Sequence, residues 1–322
     1  MNSILQCLSA TEHLHNLDQQ CIYVSPTSCY DGDLLTSFVS LMLEMREGVK
    51  VGNSFPSAAP MELRQVVSGT RSEYALNLQQ DAHDFFTFLI DGLNTETNRG
   101  DLFAEVANYC SATSIHEAWT LCKKQNDSPF ADVFCGMMQD FRLCGNDVNH
   151  TKTSFEVFNS IHVPIPKDEG SVVHLESCIS ALFNTEVLED AQNLLRCDGC
   201  NEKVMSIKYT RIVTMPKVLV INLKRFTYNN GSFQKIHSEI SIPNRLTFRR
   251  HQIEQPEELV QSFKLYAICY HLGDSPFSGH YVADCKWGNV WYRFNDETVT
   301  IVPSPCESSN KDGYIVFYHQ VE

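Results

Sequence analysis

Apolar side chains recur at helical spacing in two long stretches of the chain. Over 33–46, Leu34, Phe38, Leu41, Met42 and Met45 fall on one side of a helix, and Gly48 ends the run. Over 79–94, Ala82, Phe85, Phe86, Leu89, Ile90 and Leu93 form one stripe. It is led by Gln79-Gln80-Asp81, where first-turn N–H groups favour negative charge. Ile4, Leu5, Leu8 and Leu14 sit near helical spacing behind Asn2 or Ser3 as a cap, so the chain opens directly inside a helix-like segment. That abrupt opening predicts a front end lying outside the sequence. Residues 48–60, with Gly48, Gly52, Pro56 and Pro60, read as a loop, and Leu175, Ile179, Leu182 and Phe183 predict a helix over 175–190.

Beyond about residue 130 the period shortens. Phe155–Pro164, Val204–Val213, Lys217–Phe226, Phe263–His271, Tyr281–Lys286, Val290–Asn295 and Tyr314–His319 are predicted strands. Val218-Leu219-Val220-Ile221 is apolar without alternation, as a strand covered on both faces requires. A helical front third followed by a strand-rich remainder predicts one α+β unit with lobes.

Composition narrows the class. An apolar fraction of 43% and a charged fraction of 20% belong to a chain with a packed core. A net charge of −14 argues against duplex DNA or an anionic membrane as partner and favours a basic one. The 13 cysteines are scattered without a disulfide framework, which predicts reduced thiols and an intracellular protein, in cytoplasm or nucleus. No apolar run approaches the roughly 18 residues of a membrane span, and the segment after Met1 lacks the basic start of a secretory signal.

Two constellations can carry chemistry. Cys197-Asp198-Gly199-Cys200 is open between half a zinc site, a redox pair and two buried thiols, although the βαβ context of a thioredoxin-like pair is missing. Cys144-Gly145-Asn146-Asp147, with His150 beyond it, is the candidate second half. Gly279-His280-Tyr281 opens one predicted strand and Phe294-Asn295-Asp296 closes the next. Antiparallel pairing of the two would bring His280 to Asn295 or Asp296, either of which can fix the tautomer of a general base. Such a pair still needs a nucleophile.

These motifs resemble those of the ubiquitin-specific proteases, in family order along essentially the whole chain. Met1-Asn2-Ser3-Ile4-Leu5-Gln6-Cys7-Leu8 resembles the helix after the family's cysteine box, and Gln79-Gln80-Asp81-Ala82-His83-Asp84-Phe85 its QQDAHEF helix. Phe134-Cys135-Gly136 with Cys144, and then Cys197–Cys200, resemble the two sides of its fingers ribbon. Residues 216–226, ending Leu223-Lys224-Arg225-Phe226, are similar to its LKRF strand. Ser278-Gly279-His280-Tyr281 with Trp291–Asp296 is similar to its histidine box, and Gly313–Tyr318 to its closing strand.

The resemblance implies a papain-like cysteine peptidase fold with thumb, palm and fingers. Residues 1–322 would be one catalytic domain, with the helical thumb at about 1–125 and palm and fingers at about 126–322. It implies a deubiquitinase that hydrolyses the isopeptide or peptide bond at the C-terminus of ubiquitin, with ubiquitin and ubiquitinated proteins as partners and no catalytic cofactor. His280 would be the base, Asn295 its orienting partner and Asp296 a helper; Gln80, Asp81, Gly279 and Tyr281 would bind the basic ubiquitin tail.

Two departures alter what is expected. The family's nucleophile stands in a Gly-Asn-Thr-Cys box just ahead of the segment that begins at Met1, and Cys7 lies about two turns, roughly 10 Å, farther along the helix. The chain as written is therefore expected to be inactive, and the alternative is a ubiquitin-binding pseudoenzyme or scaffold. Asp147 stands where the family often has a fourth cysteine, so a structural zinc would either be held weakly by Cys144, Asp147, Cys197 and Cys200 or be absent, with His150 as a less well-spaced donor.

Overall fold

The computed structural model describes residues 1–16, 23–50, 60–75, 79–100, 109–166, 171–229, 231–248, 260–275, 278–307 and 309–321. Helices fill the front: Asn2–Ser9, Asp33–Lys50, Met61–Thr70, Ala82–Thr97, Ile115–Gln125 and Pro129–Phe134. The predicted 33–46 helix runs on to Lys50, and the rest of the expected loop, 51–59, lies outside the described residues, as do Pro276 and Phe277. Among the described residues no helix is long and apolar enough to cross a membrane.

Two sheets organise the remainder. The larger runs Thr298–Val302, Val290–Asn295, Ser278–Trp287, Gln261–Ser275, Gly313–Val321, Val218–Lys224, Ile161–Pro164, with Arg245–Phe248 pairing the start of Gln261–Ser275. All these neighbours are antiparallel except Ile161–Pro164, which lies parallel to Val218–Lys224. The smaller sheet orders Thr151–Phe158, Gly136–Cys144, Ser206–Thr214, Glu186–Leu188.

The large sheet is covered on both sides. Along Val218–Lys224, Val218 and Val220 face the core shared with the front helices, while Leu219 and Ile221 face a second core closed by helix Leu175–Leu182. The unbroken apolar run is thus a strand with two buried faces. Helix Ala82–Thr97 is joined to this sheet by aromatic edges, with Phe86 meeting Phe134 and Phe317 at 5.8 Å.

Four predicted elements divide; of these, Val204–Val213 breaks at Met205, between strands Glu202–Val204 and Ser206–Thr214. Phe155–Pro164 breaks at Asn159-Ser160, because Ser160 Oγ meets His83 Nε2 at 2.8 Å and Asn159 Nδ2 donates to Asp91. Its halves therefore join different sheets. Lys217–Phe226 breaks at Arg225, whose buried guanidinium donates to the carbonyls of Gly313, Ile236, Ser238 and Asn310. The predicted 175–190 helix ends at Leu182, and Glu186–Leu188 becomes an edge strand against Ser206–Thr214.

Candidate active site

Antiparallel pairing places Ala283 opposite Phe294, so His280 near the start of one strand and Asn295 at the end of the next come to the same sheet edge. His280 Nε2 lies 2.6 Å from Asn295 Oδ1 and 3.8 Å from Asp296 Oδ2. An amide oxygen is an acceptor, so Nε2 carries the proton and Nδ1 keeps its lone pair, the arrangement a general base needs. Asp296 adopts φ 49° in the turn to the next strand, and its Oδ1 accepts from Asn2 Nδ2 at 3.5 Å. The opening helix is thereby tied to the histidine edge.

A cleft of about 410 Å³ lies between these parts, lined by residues that include Asn2, Gln79, Gln80, His280, Tyr281 and Asp296. Gln80 and Tyr281, two of the four residues expected to bind the tail, line it; Asp81 and Gly279 are not among its lining residues but bond across from helix lobe to sheet lobe beside it. Asp81 caps helix Ala82–Thr97 through Oδ1, which accepts from the His83 and Asp84 amides, and its Oδ2 accepts from the Tyr314 hydroxyl at 2.5 Å. Burial and the adjacent Asp81 carboxylate push the Tyr314 hydroxyl well up, so it stays a donor. Gly279 N donates to Gln79 Oε1 at 2.6 Å, a crossing between helix lobe and sheet lobe that sequence reasoning missed. Its residue type is dictated by space: a Cβ there would sit 2.5 Å from His271 Nε2. The far wall, Pro60, Met61, Arg64 and Tyr74, was also missed, because helix Met61–Thr70 carries too little apolar signal to read.

Among the described residues lining the cleft, none is a cysteine. Cys7, Cys269 and Cys285 are fully buried, and burial pushes the Cys7 thiol well above its ordinary range, with Cys285 beside it adding to the effect. Cys144 stands elsewhere, in a cluster at the end of the smaller sheet.

That cluster brings Cys144, His150, Cys197 and Cys200 together, with every donor atom within 4.8 Å of the others. Cys144 Sγ–Cys200 Sγ is 3.7 Å, and His150 Nδ1 stands 3.3 Å from Cys200 Sγ and 3.7 Å from Cys197 Sγ. Zinc–sulfur bonds of about 2.3 Å in a tetrahedron require sulfur–sulfur edges of about 3.8 Å, so the donor set fits zinc. Where Asp147 was the expected fourth member, the structure gathers His150 with the three thiols instead. Asp147 Oδ1 is taken by the backbone and side chain of Asn149, and Oδ2 lies 3.7 Å from His150 Nε2, on the side of the ring away from the thiols. Gly199 makes room for that ring, since a Cβ there would meet His150 Cε1 at 2.6 Å. Burial pushes Cys144 up, but the amides of Asp147 and Asn146 and the neighbouring thiols outweigh it and hold the group below its ordinary value. Burial and the thiols of Cys144 and Cys197 push Cys200 up to about 12.

A histidine oriented by an asparagine, at the seam of a helical lobe and a sheet lobe with a ribbon beyond, defines the papain-like cysteine peptidase fold with thumb, palm and fingers. Residues 1–318 match the family described as Ubiquitin carboxyl-terminal hydrolase, and the chain belongs to that family, among its ubiquitin-specific proteases. It is 28% identical over 326 residues to human ubiquitin carboxyl-terminal hydrolase 2, covering 99% of this chain and 53% of that protein. It is 27% identical over 350 residues to rat ubiquitin carboxyl-terminal hydrolase 21, covering 100% of this chain and 60% of that one. The chain thus spans little more than half the length of these relatives. The SAGA Ubp8/Sgf11/Sus1/Sgf73 DUB module bound to ubiquitin aldehyde shares the fold at a TM-score of 0.74 and 24% identity, over 100% of this chain and 67% of that one.

Proposed function

We propose that this chain forms the ubiquitin-engaging and proton-handling part of a thiol-dependent deubiquitinase, which cleaves the isopeptide or peptide bond at the C-terminus of ubiquitin. The observation that carries this reading is the His280–Asn295 contact at 2.6 Å on the rim of a cleft between two lobes. With Nε2–H given to Asn295, Nδ1 takes the proton of an attacking thiol and returns it to the leaving amine. Asp296 Oδ2 lies 3.8 Å from the same ring nitrogen, at the histidine's edge of the cleft. The first amides of helix Asn2–Ser9 border the cleft, where a helix start favours developing negative charge. Gln80 and Tyr281 line the tail's path, while Asp81 and Gly279 fix the helix and strand that form it. The net charge of −14 suits a basic tail.

The cleft's lining holds no thiol among its described residues, and this favours a second reading of the 322 residues taken alone: they bind ubiquitin without cutting it. In the ribbon, Cys144, His150, Cys197 and Cys200 would hold a structural zinc, with Asp147 orienting His150.

The test is titration of the 322-residue chain with ubiquitin by calorimetry, together with a ubiquitin C-terminal electrophile. Binding that weakens when the last residues of ubiquitin are removed, with no covalent adduct, is the expected result. No binding at all would overturn ubiquitin engagement, and an adduct on one of the described cysteines would overturn the non-cutting reading.

A further inference from the structure

The strand that leads into the histidine edge is held from beneath by a buried cation that the mechanism does not use. Lys235 ends strand Ser232–Lys235 with its side chain 1% exposed. Its ammonium donates to His271 O at 2.7 Å, Gly273 O at 2.8 Å and Asp312 Oδ1 at 2.9 Å. Those three bonds use every proton of the group. Two of the acceptors flank Leu272, the residue paired with His280, at the place where the register between strands Gln261–Ser275 and Ser278–Trp287 shifts.

This irregular stretch is tightly built. Gly273 adopts φ +137°, and a Cβ there would lie 2.8 Å from Gly279 Cα. His271 N donates to Asp312 O at 2.9 Å, so the same aspartate binds the strand through its backbone and binds the lysine through its side chain. The His271 ring packs against Tyr281 at 4.9 Å and lies directly under Gly279. Shifting either carbonyl therefore shifts Gly279 and, with it, His280. A buried ammonium is costly to desolvate, and here it is directed at two strand carbonyls rather than used for packing.

We propose that Lys235 is a positioning residue for His280: by clamping the carbonyls of His271 and Gly273 it fixes the bulge that aims the imidazole at Asn295. The inference rests on the reading of His280 and Asn295 as the catalytic pair, and it adds a component from a separate hairpin that touches neither residue.

Long-range proton–nitrogen NMR of the ¹⁵N-histidine-labelled 322-residue chain tests it, with His280 assigned by loss of its signals in His280→Gln. The wild-type chain is expected to give one His280 species protonated at Nε2. Lys235→Met is expected to stay folded by circular dichroism while that single signature is lost to a broadened or mixed-tautomer signal. Gly273→Ala, which disturbs the same bulge with the lysine intact, should do the same and decides the matter if Lys235→Met fails to fold. Asn295→Ala separates the two ideas. If it leaves the His280 tautomer unchanged, the catalytic-pair reading fails. If it changes the tautomer while Lys235→Met and Gly273→Ala lower only the melting temperature, the lysine is merely structural and the proposal is overturned.

Discussion

Asp147 and His150 are three residues apart, and which of them reaches the thiols depends on the knuckle's backbone rather than on spacing. Asp147 Oδ1 accepts from the Asn149 amide, and it is His150 that stands with the thiols, which makes it the proposed fourth donor. His150→Ala is accordingly expected to abolish stoichiometric zinc measured by plasma mass spectrometry. Asp147→Asn should keep the metal but weaken it by roughly 10- to 100-fold, the usual cost of removing a carboxylate behind a ligating histidine. Gly199→Ala drives a methyl into the His150 ring and should behave like His150→Ala. Equal zinc affinity in the wild type and His150→Ala would restore Asp147 as ligand. The histidine edge was more legible than the ribbon: a glycine–histidine strand start and an asparagine–aspartate strand end can meet only by antiparallel pairing. Gln79 was not legible, because its partner is a backbone amide 200 positions away that no pattern announces.

Among the elements, those with a wide apolar stripe were readable and those with a thin one were not. Helix Ala82–Thr97 buries Phe85, Phe86, Leu89, Ile90 and Leu93, whereas Met61–Thr70 buries only Leu63 and Val67, and Ile115–Gln125 only Ala118 and Cys122. Two buried positions per helix leave no period to detect. Strand ends were lost for a different reason: Arg225 looks like the continuation of a strand until its guanidinium is found satisfying four carbonyls from other segments. The long helix also carries the mechanical link between lobes. Phe86→Ala, at 0% exposure between Phe134 and Phe317, should cost about 3–5 kcal/mol in a urea unfolding experiment. Asp81→Ala removes the helix cap and the Tyr314 contact and should cost about 1–2 kcal/mol. Tyr314→Phe in the same background should then add little, since the two side chains share one interaction. A fully additive double variant would count against that coupling.

At the scale of the molecule, its titration is governed by histidines that folding keeps neutral. Burial lowers His13, His83, His162, His271 and His319, with Lys217 adding at His13, the neighbouring His162 at His83, Lys224 at His162 and Lys235 at His271. His83 falls furthest, from 6.5 to about 4. An unfolded chain accepts these protons first as pH drops, so the native state loses stability across the window from about 6.5 to about 4. His83 alone can account for up to about 3 kcal/mol of that loss. Asp84, Asp91 and Glu96 act in the opposite direction: burial raises them, so the fold takes up their protons before the unfolded chain does and regains some stability just above the ordinary carboxylate range. The decline should therefore be steepest in the upper part of the window, roughly pH 6.5 to 5. Urea unfolding free energies taken at half-unit steps from pH 7.5 to 4.5 should fall between about pH 6.5 and 5. His83→Gln, which keeps a polar group beside Ser160 but cannot ionise, should flatten the curve by the largest single amount. A profile that stayed level or rose on acidification would mean that the buried histidines are already protonated at neutral pH, and that the seam between helix Ala82–Thr97 and the Asn159-Ser160 turn is not closed as described.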